Sequence, residues 1–380
     1  MRDVYINRIS KFLPNQPVSN DKMEDFLGKI SGKPSKAKNI ILRSNKIKTR
    51  YYAMDTNGQA THTNAQLAAK SIKELFRDNP AELKEIEMLT AGTSSPDQLM
   101  PSHAVMVHGE LPGLGSIEVL TASGNCCSGV QGMKYAFINI AANQINKAVC
   151  AGSERFSRPM RAENYQPEID NVKKIEDNPY LAFEKDFLRW MLSDGASAAL
   201  LSSKKNSDGL SLKIEWIELI SYANVAETCM YMAAEKNETG ELISFKEYSP
   251  GEIKNQSILS IKQDVKLLSK EILKHGMDKL QRTLAKYEAQ TDDFDYFLPH
   301  LSSYFFQDKI YKILKDHNLE IPMEKWFTNL EKVGNIGSAS PFLMIEEMMN
   351  RHIVKKGDKL LLMVPESARF AYAYISLSAC

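Results

Sequence analysis

The chain has 380 residues, of which 43% are hydrophobic and 25% charged, the proportions of a folded globular protein rather than a disordered or fibrous one. Its 48 lysines and arginines nearly balance 47 aspartates and glutamates, and the net charge of +1 argues against wholesale nucleic-acid binding. The N-terminal sequence MRDVYINRISKFLPNQ lacks a secretory apolar segment, and we expect no membrane span. The five cysteines are scattered without metal-ligand spacing, so we expect a cytoplasmic protein with reduced thiols, no metal site and no cofactor.

The first segment with an unusual composition is Lys29–Arg50, which contains eight basic residues and no acidic one. It is either a solvated surface loop or a positive rim that attracts a phosphate-bearing or acidic partner. Beyond it, Thr63–Phe76 has apolar residues at helical spacing. The run EIEMLTAGTSS from Glu85 then predicts a strand that ends in a loop of small residues.

Cys127 lies at a predicted strand-to-helix turn in LTASGNCCSGVQG, and the helix predicted over Ser128–Ala142 is apolar on most faces. A cysteine at the N-terminus of a helix lies where unpaired N–H groups and the helix dipole favour the thiolate. A buried structural cysteine is the alternative interpretation. Cys126 competes for the role of nucleophile, because adjacent side chains at a strand end point apart and only one should face a cavity.

The middle of the chain contains a strand-like run, VCAGSERF from Val149, followed by the polar, Pro-containing segment Arg158–Pro179. That segment is either an insertion that caps a pocket or subunit interface, or a surface excursion. The polar connection SSKKNSDG near residue 205 predicts a boundary between two halves, residues 1–205 and 206–380. In the second half, Ile261–Tyr287 again has helical spacing.

The second half then repeats the order of the first. DFDYFLPHLSS from Asp293 predicts a strand followed by His300, and GNIGSAS places Asn335 before a second buried helix over Ser338–Met349. The run MVPESARF from Met363 matches VCAGSERF. Three collinear pairs of segments predict a duplicated α/β unit with mainly buried sheets.

Packing of two such halves about a pseudo-twofold axis would bring the helix starts beside Cys127 and Asn335 towards one centre. His300 ends the neighbouring strand of the second half, so it should reach the same centre. A lone histidine or asparagine is more often an ordinary hydrogen-bonding residue. The shared geometry sets these two residues apart from the other histidines and asparagines of the chain.

With these features, the chain resembles the thiolase-fold condensing enzymes over nearly its whole length, and most closely the β-ketoacyl-ACP synthase III group. The resemblance rests on the segments NKIKTRYYA, TAGTSS, NCCSGV, SDGASAALL, LPH and GNIGSAS. It implies two duplicated halves in a layered αβαβα architecture. Enzymes of this fold are usually homodimers.

The resemblance also implies a role for each site residue. Cys127 would attack an acyl thioester and carry the acyl group, and the oxyanion would be held by the backbone N–H groups of Cys127 and a residue near Ala368. His300 and Asn335 would stabilise the enolate of a malonyl- or β-ketoacyl-thioester, which attacks the acyl group in a Claisen condensation. Acyl thioesters on acyl carrier protein or coenzyme A would be the partners, docking near Lys46, Lys48 and Arg50.

The chain departs from this group in two places. Ala368 stands where a glycine-rich loop is expected, and Ile40 lies near the place of the tryptophan that stacks on the adenine of coenzyme A, which favours a carrier-protein donor. The segments PESARF and TRYYA are similar to ketosynthases that form dialkylresorcinols or cyclohexanediones by joining two acyl chains head to head. The segment around Arg158–Trp190 and the run Cys229–Met232 are candidates for lining an acyl tunnel, or are simply core.

Three other functions are considered. A degradative thiolase needs a second active-site cysteine in a glycine-rich loop, which Cys380 cannot supply. A type III polyketide synthase-like enzyme shares the Cys–His–Asn set, but its Gly-Phe-Gly-Pro-Gly ending is missing. A non-catalytic structural partner of a ketosynthase heterodimer commonly loses the nucleophile or the histidine, whereas this chain retains both.

Overall fold

The computed structural model describes residues 1–35, 37–165 and 187–380. The α-helices of these residues are α1 Met23–Leu27, α2 Lys38–Asn45, α3 Asn64–Leu75, α4 His103–Gly109, α5 Ser128–Ala141, α6 Pro250–Asn255, α7 Val265–Glu271, α8 Gly276–Lys286, α9 Gln307–Asp316, α10 Leu330–Val333 and α11 Ser340–Asn350. The β-strands are β1 Tyr5–Phe12, β2 Val18–Ser19, β3 Thr49–Arg50, β4 Met88–Thr93, β5 Glu118–Ser123, β6 Lys147–Glu154, β7 Gly195–Ser202, β8 Leu212–Ser221, β9 Met230–Tyr231, β10 Ala234–Lys236, β11 Leu242–Ser244, β12 Lys262–Gln263, β13 Tyr296–Pro299, β14 Lys359–Glu366 and β15 Ala371–Ala379.

The main sheet has two arms with the same internal order. Its strand order is β13-β14-β15-β8-β1-β7-β6-β4-β5, and the arms meet where Tyr5 and Ile6 of β1 pair with Lys213 and Leu212 of β8. In one arm β1–β7 and β7–β6 are antiparallel and β6–β4 is parallel. In the other, β8–β15 and β15–β14 are antiparallel and β14–β13 is parallel. This repetition confirms the duplicated α/β fold, while the boundary after residue 205, in the β7–β8 connection, stays a prediction.

The arms and helices stack as five layers. Alternate residues of one strand face different layers: Ala373 and Ile375 of β15 pack in a central cluster with α5 and α11, and Tyr372 and Tyr374 pack with α7, α8 and α9. On the outer face of the other arm, α3 and α4 pack against β4, β6 and β7. The order helix, sheet, helix, sheet, helix confirms the predicted αβαβα architecture.

Close packing of the two halves positions the start of α5. A Cβ at Gly129 would lie 2.5 Å from the carbonyl oxygen of Ser338, and one at Gly152 would lie 2.4 Å from the same oxygen. Only glycine permits this approach at either position. The turn after Asn335 in the second half is therefore pressed against the turn that carries Cys127 in the first.

The second long helix and the central insertion differ from the sequence prediction or are described only in part. The helix predicted over Ile261–Tyr287 is two helices, α7 and α8, because the tyrosines of β15 bind backbone carbonyls at the break. The Tyr374 hydroxyl donates to the carbonyl of Gly276 at 2.6 Å, and Tyr372 donates to that of Ile272. Of the predicted insertion 158–179, residues 166–179 lie outside the described residues.

None of the described helices is long and apolar enough to cross a membrane.

Candidate active site

A cavity lies beside the ends of β5, β13 and β14, at the junction of the two halves. Its polar lining includes Asn125, Cys126, His300 and Asn335, together with Ser94, Gln263, Ser302 and Ser367. The remaining wall is largely apolar and includes Phe156, Leu188, Met191, Met230, Ile261, Leu268, Ile272, Phe306 and Ile310. The structure therefore brings His300 and Asn335 to one cavity, together with a thiol from the turn before α5.

Cys127 is the residue that immediately precedes α5, as predicted, but its side chain is fully buried. Its Sγ donates to the carbonyl of Val364 at 3.3 Å, and its backbone N–H donates to Oε2 of Glu366 at 2.9 Å. Burial raises the pKa of this thiol well above its usual value, and the nearby Glu366 raises it further. The expected stabilisation of the thiolate by an unpaired helix terminus is therefore wrong for this state, because a carboxylate already binds that N–H.

Cys126 is the thiol that lines the cavity. Only one of the two adjacent cysteines faces the cavity, as expected, but it is Cys126, because Cys127 is turned towards Val364 on β14. Burial raises the pKa of Cys126 well above its usual value, with further contributions from Glu366 and Glu154. The catalytic role of Cys127 stays a prediction.

His300 presents a neutral imidazole to the cavity. Its backbone N–H donates to the carbonyl of Met363 at 2.8 Å, which fixes the residue against β14. Burial lowers the pKa of His300 to about 4, so the ring is uncharged at neutral pH. Its Nε2 is buried and has no hydrogen-bond partner in the described part of the chain. A buried ring nitrogen without a partner is available for a substrate oxygen.

Asn335 presents an amide N–H group. Gly334 has a φ of +73°, and a Cβ there would lie 2.8 Å from the Cβ of Ser193, so the turn requires glycine. The backbone N–H of Asn335 donates to Met191, and its Oδ1 accepts the N–H of Gly337 at 3.0 Å. Because Oδ1 is engaged, Nδ2 is the atom left to donate into the cavity.

The predicted oxyanion donors are placed differently from expectation. The cavity is lined by Pro365 and Ser367 rather than by Ala368, whose carbonyl accepts the N–H groups of Cys229 and Met230. The N–H of Cys127 is bound to Glu366. The assignment of Cys127 and Ala368 as oxyanion donors stays a prediction.

The predicted docking residues divide into two exposed lysines and one buried arginine. Lys46 lies over the ring of Tyr304, 5.6 Å from its centroid, and Lys48 forms an ion pair with Glu331. Arg50 cannot dock a carrier, because its side chain is fully buried. It donates instead to Oδ1 of Asn20 and to the carbonyl of Trp190.

Two buried glutamates of this region were not predicted. Glu154, at the end of β6, accepts hydrogen bonds from the hydroxyls of Ser94 and Ser95 and from the N–H of Ser338. Glu366, at the end of β14, accepts the N–H of Cys127. The repeated segments VCAGSERF and MVPESARF each contain one glutamate near a strand end, which is the signal that could have identified them.

Comparisons with known proteins identify what the chain is similar to. Residues 284–365 match the family described as 3-oxoacyl-[acyl-carrier-protein] synthase III C terminal. The β-ketoacyl-[acyl-carrier-protein] synthase III of Clostridium novyi is 22% identical, and that of Oenococcus oeni 24% identical, each over 95% of both chains.

Solved structures show the same fold along almost the whole chain. The tetronic acid condensing enzyme AbyA1 is 19% identical and covers 99% of both chains with a TM-score of 0.74. OleA from Xanthomonas campestris, solved with lauric acid and lauroyl-CoA, is 17% identical over 99% of both chains with the same TM-score. FabH from Pseudomonas aeruginosa is 18% identical, with a TM-score of 0.71 over 99% of this chain and 98% of that one. The predicted resemblance is confirmed: the chain has the fold of the thiolase-type condensing enzymes and resembles the β-ketoacyl-ACP synthases III, which are acyltransferases.

Proposed function

We propose that the chain catalyses a Claisen condensation between two thioesters, with Cys127 carrying the first acyl group. The observation that carries this proposal is that two neutral hydrogen-bond donors, His300 and Asn335, line the same cavity as Cys126 of the Cys126–Cys127 turn. Neutral donors suit this reaction, because the negative charge develops on a thioester oxygen and is then transferred to carbon.

The reaction has two stages. In the first, the Cys127 thiol adds to the acyl carbonyl and the carrier departs as a thiol, so the acyl group is bonded to Sγ. In the second, a malonyl-type thioester loses carbon dioxide to form an enolate, or a β-ketoacyl thioester supplies the equivalent carbon nucleophile. His300 and Asn335 donate to the enolate oxygen, its carbon attacks the acyl carbonyl, and the acyl–Sγ bond of Cys127 breaks. The departing thiolate takes up the α-proton that a β-ketoacyl donor has lost, or a proton from water where the donor has lost carbon dioxide.

The apolar wall of the cavity supports acyl chains as substrates. Part of the predicted tunnel contributes to it, since Leu188 and Met191 lie before β7 and Met230 lies in the run Cys229–Met232. Helices α7 and α9 add Leu268 and Ile310 to this lining. Residues 166–186 of the predicted tunnel lie outside the described residues. An apolar wall with a few polar groups at one end fits a thioester head with a hydrocarbon tail.

More specifically, the proposed condensation is a head-to-head fusion of two acyl chains in secondary metabolism. It rests on the segments PESARF and TRYYA and on the fold that this chain shares with AbyA1 and OleA. Acyl carrier protein is the proposed donor, with Lys46 and Lys48 as exposed positive charges near the docking surface.

A homodimer is the proposed assembly. Strand β5 is the edge strand of its arm and pairs with β4 on one side only. An edge strand with unpaired backbone groups is suited to pairing with a second copy. Light scattering coupled to size exclusion should give twice the chain mass of 42.9 kDa.

The test is product analysis with purified protein. Acyl and β-ketoacyl or malonyl thioesters, each on coenzyme A and on acyl carrier protein, are offered and the products identified by mass. We expect a condensed product from wild type, none from Cys127→Ala, and wild-type yield from the control Cys150→Ala, which removes a buried thiol of β6. Product formation by Cys127→Ala, or its absence with every donor, would overturn the proposal.

A further inference from the structure

The carboxylate of Glu366 lies directly beside the proposed nucleophile. Glu366 ends β14 and is 9% exposed, and its Oε2 accepts the backbone N–H of Cys127 at 2.9 Å. The residues on either side of it, Pro365 and Ser367, line the cavity. Since Sγ of Cys127 is three bonds from that nitrogen, rotation about Cα–Cβ moves the thiol within the same small volume.

Glu366 is also linked electrostatically to the thiol. Burial raises the pKa of Cys127 and of Cys126, and the negative charge of Glu366 raises both further, so an ionised Glu366 disfavours the thiolate. Burial in turn raises the pKa of Glu366, which makes the carboxylate a better proton acceptor. The two groups therefore compete for one proton, the arrangement that suits transfer between them.

We propose that Glu366 is the general base that accepts the Cys127 thiol proton during acyl loading and returns it to the departing carrier thiol. The inference rests on the proposed function above. In the balanced step, the Cys127 S–C bond forms, the proton moves from Sγ to the Glu366 carboxylate, and the bond between the acyl carbon and the carrier sulfur breaks. The protonated Glu366 then gives its proton to the carrier thiolate.

The same proton transfer frees an oxyanion donor. In the resting state Glu366 occupies the N–H of Cys127, which the tetrahedral intermediate would otherwise use. A carboxylate accepts a stronger hydrogen bond than a neutral carboxylic acid. Protonation of Glu366 therefore weakens its hold on that N–H at the moment when negative charge forms on the substrate oxygen.

Other groups of the site are less suited to this role. Glu154 is held by the hydroxyls of Ser94 and Ser95 and by the N–H of Ser338. His300 is neutral, and its proposed role as a donor to the second thioester needs its proton to stay in place. Among the carboxylates of the described residues, Glu366 is the one hydrogen-bonded to Cys127.

The experiment measures single-turnover acylation by quenched-flow mass spectrometry of the intact protein. Glu366→Gln keeps an oxygen that can accept the Cys127 N–H but removes the proton acceptor, and we expect acylation to slow by about 100-fold or more. Glu366→Asp keeps a carboxylate and should recover part of the rate. The control is Glu346→Gln, which alters another buried carboxylate, on α11 and paired with Lys11 of β1, and should acylate at the wild-type rate.

A measurement on wild type keeps the proposal falsifiable if Glu366→Gln does not fold. At saturating donor, acylation should be slower in D₂O than in H₂O, because the proposal has the proton move in the step that forms the S–C bond. Equal rates in the two solvents would overturn the proposal. Wild-type acylation with an equal rate in folded Glu366→Gln would overturn the role of Glu366 alone. Failure of wild type to acylate with any donor would overturn the proposed function instead.

Discussion

Replacement of Glu154 tests how the two halves hold the Asn335 turn. Its carboxylate accepts the N–H of Ser94 at 3.1 Å and that of Ser338 at 3.2 Å, and it also accepts the hydroxyls of Ser94 and Ser95. In Glu154→Gln the amide oxygen can keep the two N–H donors, while the rotatable hydroxyls accept from the new NH₂ group. In Glu154→Met both N–H groups lose their partner, that of Ser338 in a buried position and that of Ser94 in a partly buried one.

These differences set the expected magnitudes. A buried donor left unpaired costs about 1–3 kcal/mol and a partly buried one costs less, so Glu154→Met should lower the free energy of unfolding by about 2–4 kcal/mol. Glu154→Gln should cost only about 1 kcal/mol, since it retains the pairing. Condensation should fall with Glu154→Met, because Ser338 follows the Asn335 turn. Urea unfolding followed by circular dichroism measures the stabilities, and equal values for the two variants would refute the reasoning.

Three further predictions follow from the site and its charges. His300→Ala should raise the activation barrier for condensation by the pre-acylated enzyme by roughly 3–4 kcal/mol and leave the acylation rate unchanged. An equal decrease in the rates of acylation and condensation would contradict its role as a donor to the second thioester. Burial raises the pKa of Glu154 from 4.5 to about 7, so the folded protein retains a proton that the unfolded chain releases. The contribution of Glu154 to the free energy of unfolding should therefore be largest below pH 4.5 and should fall as the pH rises to about 7. Urea unfolding measured across this pH range should show a smaller decline for Glu154→Gln than for wild type. Reversing the charges of Lys46 and Lys48 should slow loading from an acidic carrier protein and reduce its salt dependence, and an unchanged loading rate would contradict the docking role.

The duplication was accessible from sequence because it depends on segment order and periodicity. The segments EIEMLTAGTSS and DFDYFLPHLSS contain β4 and β13, as predicted. The buried helices α5 and α11 both begin within two residues of the predicted position. The meeting of His300 and Asn335 followed from the same symmetry. Hydrophobic periodicity and the order of strands and helices depend on many residues at once, so the conformation of a single side chain does not change them.

Details set by single side chains were not accessible in this way. Which of Cys126 and Cys127 faces the cavity depends on the conformation of one turn, and Cys127 is held away from it by the carbonyl of Val364. Arg50 belongs to a basic run, yet it is buried because Asn20 and Trp190 supply partners from distant segments. Such pairings join residues far apart in the chain and leave no periodic signal.

The position of the acyl group on the protein tests the central claim most directly. Wild-type protein is incubated with an acyl thioester, digested, and its Gly124–Gln131 region is fragmented by mass spectrometry to separate the two adjacent cysteines. We predict the acyl mass on Cys127 and its loss in Cys127→Ala. An acyl mass found on Cys126, or on neither cysteine, would contradict the account.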